Sequence, residues 1–410
     1  MDGRRRELLI SGDDIWNVFF CLMMAVTMFA VRAFHIREVM QLLFIAISFY
    51  KLQLYRGFLL EVIISRILFL WWCACSAYWA MYPDVVLGYL PSVMQSTLLL
   101  CALVIYFSQD TKKHIKCAVT MFIAMSAVLA FYLLATVPLG QLIKGTQKLK
   151  GRLTVRGINA NQIGVCCSYS ILILLFHPNK KQAKWVVLLG VPMLCVALLT
   201  GSKKALLTLV LGIMLLAVAK AKSMGKMILY ILTAVLCAAL LLVAIYHIEF
   251  LYQIIGKRLD GLWGYVLNGS GDKSTYSRGV MVKLAVDTFK AYPFTGIGLH
   301  NFKQINPYGL YAHNNFAEML ACLGIVGFLS YYIVIGKELI ICLKHFHKDK
   351  GINRLIVVLL VCFLANEYAT VSYTNEVIQL ILGIILGMWF CKEESDIWET
   401  TAGGFMSNEK

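Results

Sequence analysis

The sequence predicts an all-α, polytopic integral membrane protein of about 12 transmembrane helices, with one long extracytoplasmic loop that contains an amphipathic helix. Three observations predict it. Hydrophobic residues make up 60% of the chain and charged residues only 15%, with a mean hydropathy of +0.74. Apolar runs of bilayer-crossing length, roughly 20 residues, recur from one end to the other. Basic residues accumulate in every second connection between those runs, as they do in cytoplasmic loops.

In chain order, the first two spans, at 15–31 and 39–55, follow Arg4, Arg5 and Arg6 and lead to a connection holding Lys51 and Arg56. Spans at 62–82 and 87–108 then reach Lys112, Lys113 and Lys116. Spans at 115–137 and 161–177 reach Lys180, Lys181 and Lys184, and spans at 184–200 and 203–220 reach Lys220, Lys222 and Lys226. A ninth span at 226–247 opens into the long loop, 248–314, before a tenth at 315–336 returns to Lys337, Lys344, Lys348, Lys350 and Arg354. The last two spans fall at 355–373 and 376–391. This alternation puts both termini in the cytoplasm. Residues 1–391 then form a single transmembrane domain, and 392–410 a polar cytoplasmic tail. The formal charge of +16 is accounted for by the cytoplasmic loops, so no nucleic-acid partner is implied. No cleavable signal is evident, because the first apolar run lacks a small-residue exit and more spans follow.

The 13 cysteines lie in or beside apolar runs, none of them in the long loop, which argues against a disulfide framework. Cys73/Cys75 and Cys166/Cys167 lack a His or acid at ligand spacing, so they read as small helix-packing residues rather than metal ligands. No metal and no cofactor are expected.

The informative cations are those on the wrong side. Lys144 to Arg156, Lys203/Lys204, and Lys257 to Lys290 with Arg258 and Arg278 all fall in outer segments. Spans six, eight and ten begin there with Arg156-Gly-Ile-Asn-Ala-Asn161-Gln162, Thr200-Gly-Ser-Lys203-Lys204 and Tyr311-Ala-His313-Asn314-Asn315. A helix N-terminus carries free N–H groups and a positive dipole end, so a cation beside it is unfavourable unless an anion binds. Three such ends at one level predict a phosphate-binding floor. The alternative is that Asn161, Ser202 and Asn314 cap their helices while the cations reach lipid headgroups.

Within the loop, 277–292 has helical periodicity, with Lys283, Asp287 and Lys290 on a wet face and Arg278 on the opposite face between Ala285 and Phe289. Tyr292-Pro-Phe-Thr-Gly296-Ile-Gly298 then breaks the helix and permits close backbone approach. His313, between two Tyr and two Asn at the anion-binding level, is the candidate for proton transfer, with His300 the runner-up.

Asn-x-Asn opening one span, Gly-Ser-basic opening another, the loop Arg, Pro-Phe-x-Gly-x-Gly, and His-Asn followed by Leu-Gly-Ile-Val-Gly occur in an order that resembles the bacterial O-antigen ligase and polymerase superfamily, over about 150–335. The resemblance implies a metal-independent, inverting glycosyltransferase of the bacterial plasma (inner) membrane, acting in cell-surface polysaccharide assembly. Its expected partners are a polyprenyl pyrophosphate-linked glycan donor, a glycan or lipid-linked glycan acceptor, membrane lipids and polysaccharide-assembly proteins. By position, His313 matches the family's essential His and Arg278 the loop Arg that engages pyrophosphate. Lys203 stands where the family usually has Arg, which keeps the charge and loses the bidentate fork. Arg156, Arg258, Asn161 and Asn314 complete the expected anion site. The acceptor separates a polymerase from a ligase that uses lipid A core. Polymerase is preferred because it does not require an outer membrane. A lipid-linked oligosaccharide flippase is the alternative of another class, but it should carry charge at mid-membrane depth, where only Arg66 and Glu61 stand out.

Overall fold

The computed structural model describes residues 12–29, 35–52, 57–136, 158–176, 183–221, 223–268, 273–346 and 351–393, and no strand occurs among them. Each apolar run falls on a helix: α1 (Gly12–Met28), α2 (Ile36–Tyr50), α3 (Gly57–Cys75), α4 (Pro83–Gln109), α5 (Thr111–Thr136), α6 (Ala160–Phe176), α7 (Ala183–Leu199), α8 (Lys203–Lys220) and α9 (Met224–His247). The loop contributes α10 (Lys257–Asn268) and α11 (Lys273–Ala291), and the chain closes with α12 (Asn315–Lys344), α13 (Ile352–Glu367) and α14 (Glu376–Gly387). Helices α4, α5, α9, α12, and α3 with the turn after it, are long and apolar enough to cross a bilayer. The apolar helices α6, α7 and α14 are shorter.

Helix starts follow local chemistry. Ser202, Ser223 and Asn375 each accept a backbone N–H from three residues on, capping α8, α9 and α14, and Pro83 opens α4 where its missing N–H costs nothing. Helix α4 is the axis of one half, buried continuously from Leu99 to Phe107 against α14, α3 and α2. In the other half α6 packs between α7 and α8.

The basic connections gather at one end of the bundle, where Lys51 meets Asp13 at 3.4 Å, Lys113 meets Asp14 at 2.7 Å and Lys337 meets Glu61 at 2.6 Å. At the opposite end the loop folds onto the helix turns. Met81 N–H donates to the Ile297 carbonyl at 3.3 Å, Asn301 pairs with the Tyr82 backbone, and Arg258 reaches the Gly201 carbonyl at 3.4 Å.

The tenth span departs from expectation. Asn315 Nδ2 donates to the Tyr332 hydroxyl at 2.6 Å across 17 positions, whereas 17 positions of a continuous α-helix separate by about 25 Å. The helix therefore reverses, and it does so at Gly324, where φ is 63° and ψ −168°. Residues 315–323 run antiparallel to 325–344, with Phe316 against Phe328 and Tyr332. The last carbonyls of the first arm are satisfied from outside the helix: Ala321 by Ile297 N–H, Cys322 by Gly298 N–H and Leu323 by the Trp72 indole. Two glycines interlock at the turn. A Cβ on Gly324 would lie 2.2 Å from the Phe294 carbonyl oxygen, and one on Gly296, at φ 64°, would lie 2.3 Å from the Cys322 carbonyl carbon. The first arm thus starts about 13 Å in from the turn and runs toward the end of the bundle, opposite to the direction expected from the sequence.

Candidate functional site

The reversal carries His313 inward, to the wall of an open cavity of about 510 Å³. Helix α6 contributes Asn161, Gln162 and Tyr169, α8 contributes Lys204, and α11 contributes Arg278 at the mouth. The remaining wall comes from the end of α13 (Asn366, Glu367), the connection 369–375, and the loop residues His300, Tyr311 and His313. Residues at or beside the N-terminal ends of α6, α8, α14 and the first arm of α12 line it, each a positive dipole end, while the C-terminal end of α13 brings Glu367.

His313 adopts φ 56°, a conformation few non-glycine residues tolerate. Its neighbours fix it there. The Glu318 carboxylate accepts the Ala312 N–H at 2.6 Å, Asn314 caps the Ala317 N–H at 3.1 Å, and the imidazole lies on the Tyr311 ring at 4.1 Å. Burial, then Arg278 and Lys204, pull the His313 pKa down to about 4, so the ring is neutral near pH 7 and free to accept a proton. Burial also raises the Tyr311 hydroxyl pKa.

Three of the expected residues, His313, Arg278 and Asn161, meet at this cavity. Three others have different positions. Lys203 turns to the Thr275 hydroxyl at 3.2 Å, Arg258 to the Gly201 carbonyl, and the Asn314 side chain is spent on its cap. Arg156 lies outside the described residues. Lys204, one position after the expected cation, is the lysine on the cavity wall. Helix α6 is capped by Asn159, which accepts the Asn161 N–H at 2.9 Å, and both asparagines line the site.

Sequence reasoning missed the α13–α14 corner. Glu367 is fully buried, and its Oε2 accepts from Asn315 at 2.6 Å, Tyr332 at 2.7 Å and Ser372 at 2.7 Å. The other oxygen, Oε1, has no hydrogen-bond partner among the described residues. Glu318 and Glu338 are also fully buried, so Arg66 and Glu61 are not the main charges in the apolar helices. Arg66 is buried over the Tyr331 ring, while Glu61 is partly exposed and paired with Lys337. An acid inside an apolar run is itself a signal for a functional position, and it would have found Glu367. Among the described residues no group of three His, Cys, Asp or Glu is placed to hold a metal ion.

Fold and site together define a polytopic helical membrane protein with a cation-bearing cavity that holds a neutral imidazole. Residues 186–332, from α7 to the middle of α12, are similar to the family model described as O-antigen ligase. No curated protein matches the chain. The apolar helices point to a multi-pass membrane protein.

Proposed function

We propose that the protein is a glycosyltransferase that polymerises polyprenyl pyrophosphate-linked glycan at the extracytoplasmic face, by a metal-independent, inverting displacement. One observation carries this reading: a neutral His313 shares a cavity with the cations Arg278 and Lys204. An acceptor hydroxyl oxygen attacks the anomeric carbon, and the bond from that carbon to the pyrophosphate oxygen breaks with its electron pair on the leaving group. Arg278 and Lys204 hold the negative charge that develops, and His313 takes the hydroxyl proton. The two tasks reinforce one another. A bound pyrophosphate offsets the field of Arg278 and Lys204 at His313, which makes the imidazole a stronger base once the donor is in place.

In this reading the chain crosses the membrane twelve times with both termini in the cytoplasm, and the loop 248–314 faces outward. A ligase that passes glycan to lipid A core uses the same donor chemistry, and the family description favours it as the second reading. Purified protein in detergent, given lipid-linked glycan with and without lipid A core, separates the readings. Longer lipid-linked chains support polymerisation and glycosylated core supports ligation, whereas no product with either acceptor leaves a transporter. Activity that is lost in EDTA and restored by Mg²⁺ would refute the metal-independent step. In a background without native cysteines, Tyr308→Cys should react with an impermeant maleimide from outside the cell and Ser223→Cys only after permeabilisation. The reverse pattern would invert the topology.

A further inference from the structure

The two histidines of the cavity stand in different electrostatic surroundings. Arg278 and Lys204 act on His313, whereas the cation that acts on His300 is Lys303, from its own turn. His300 enters the cavity wall from the turn 298–301, whereas His313 stands just before the first arm of α12.

The turn that carries His300 is built with care. Gly298 sits at φ 102° against Ala80, the Leu299 N–H donates to the Ser76 hydroxyl at 3.0 Å, and Asn301 Oδ1 accepts the Tyr82 N–H at 2.7 Å. These contacts tie the turn to the start of α4 and hold His300 at φ 58°, with its ring on Tyr89 at a centroid distance of 3.7 Å and 31°. Only 9% of His300 is exposed, and its Nδ1 is buried without a hydrogen-bond partner among the described residues. A strained backbone and an unpartnered ring nitrogen both cost stability, and the packing that maintains them does so at a cavity wall. The ring is also uncharged near neutral pH, because burial holds its pKa near 4.

A neutral imidazole on the cavity wall suits an uncharged polyhydroxylated ligand better than an anion. We propose that His300, positioned by Tyr89, forms the subsite for the acceptor sugar, an uncharged saccharide whose attacking hydroxyl is thereby presented to His313. The proposal rests on the glycosyltransferase reading and assigns the acceptor side of that site. His300 takes no part in the bond changes.

The test uses full-length protein in detergent, with polyprenyl pyrophosphate-linked repeat unit as donor and the same saccharide released from its lipid as acceptor. His300→Phe keeps a ring on Tyr89 and removes the nitrogens. It should raise the acceptor KM about tenfold, the loss of one hydrogen bond, while kcat and the donor KM stay within about twofold of wild type. A fall in kcat at unchanged acceptor KM, or an equal rise in both KM values, overturns the subsite. A second measurement does not depend on turnover. In ¹⁵N-histidine-labelled protein without donor, the released saccharide should shift the imidazole resonances that disappear in His300→Phe. If transfer proceeds and those resonances do not move, the subsite is wrong. If they move and no transfer occurs from the pyrophosphate donor, the subsite stands and the glycosyltransferase reading fails.

Discussion

Helices α9 and α12 start from similar material and end in opposite structures. Both are long and strongly apolar, their most apolar 18-residue windows having mean hydropathies of 2.9 within Met224–His247 and 2.1 within Asn315–Lys344. Helix α9 is peripheral, its buried side chain being Ile245, and Leu229, Leu232, Leu236, Leu240 and Leu242 are exposed, where a bilayer would meet them. Helix α12 is reversed at Gly324 and buried along both arms, with three acids and asparagines, Asn315, Glu318 and Glu338, fully enclosed. The difference lies in what each sequence offers a partner. Helix α9 presents hydrocarbon, which lipid satisfies. Helix α12 presents a glycine that accepts another backbone at contact distance and polar groups that only protein can satisfy.

The largest expected effect falls on the reversed helix. His313→Ala should lower transfer by about 10²- to 10⁴-fold, the usual share of a proton-transfer group, with thermal unfolding in detergent unchanged. Near-wild-type turnover would remove His313 from the mechanism. Its titration gives a further check. With the free-enzyme pKa near 4, kcat/KM should stay level from pH 8 to 6 on this group's account and fall only as pH approaches 4. The acid limb of kcat should lie at higher pH, because the donor's negative charge favours the imidazolium. Coincident limbs would contradict the coupling of His313 to the anion site.

Next in size, Gly324→Ala should destabilise the protein by about 2 kcal/mol or more, from a positive φ and a Cβ driven into the Phe294 carbonyl. Gly225→Ala at the start of α9 meets nothing within 4 Å and should leave the unfolding midpoint unchanged. Equal tolerance at both positions would mean that α12 does not reverse. Lys204→Ala should weaken donor use roughly tenfold, in the range of one charge-assisted contact, and Lys203→Ala by less. The opposite order would restore Lys203 as the anion ligand and require a different rotation of α8. The smallest effect belongs to α9, where Leu236→Ala should shift stability by less than about 0.5 kcal/mol. Leu323→Ala, fully buried at the turn of α12, should cost about 2 to 5 kcal/mol. Similar losses at the two leucines would show that α9 is packed against protein.

The sequence by itself determined the class of protein, where along the chain the apolar helices fall and the cations at the end of the bundle away from Lys51 and Lys113, and it offered His313 and Arg278 as candidates that meet at the cavity. Hydropathy and charge are sums over short windows, and a His or Arg set among apolar residues stands out in one. Tertiary structure decided what depends on direction and on distant contacts. Successive helical residues point about 100° apart, so whether Lys203 or Lys204 meets the cavity depends on how α8 is rotated against its neighbours α6 and α13. The reversal at Gly324 exists because Phe294 and Gly296, far back in the loop, supply the backbone that fills the glycine's open side. Glu367 became a site residue because that reversal brought Asn315 and Tyr332 to its carboxylate.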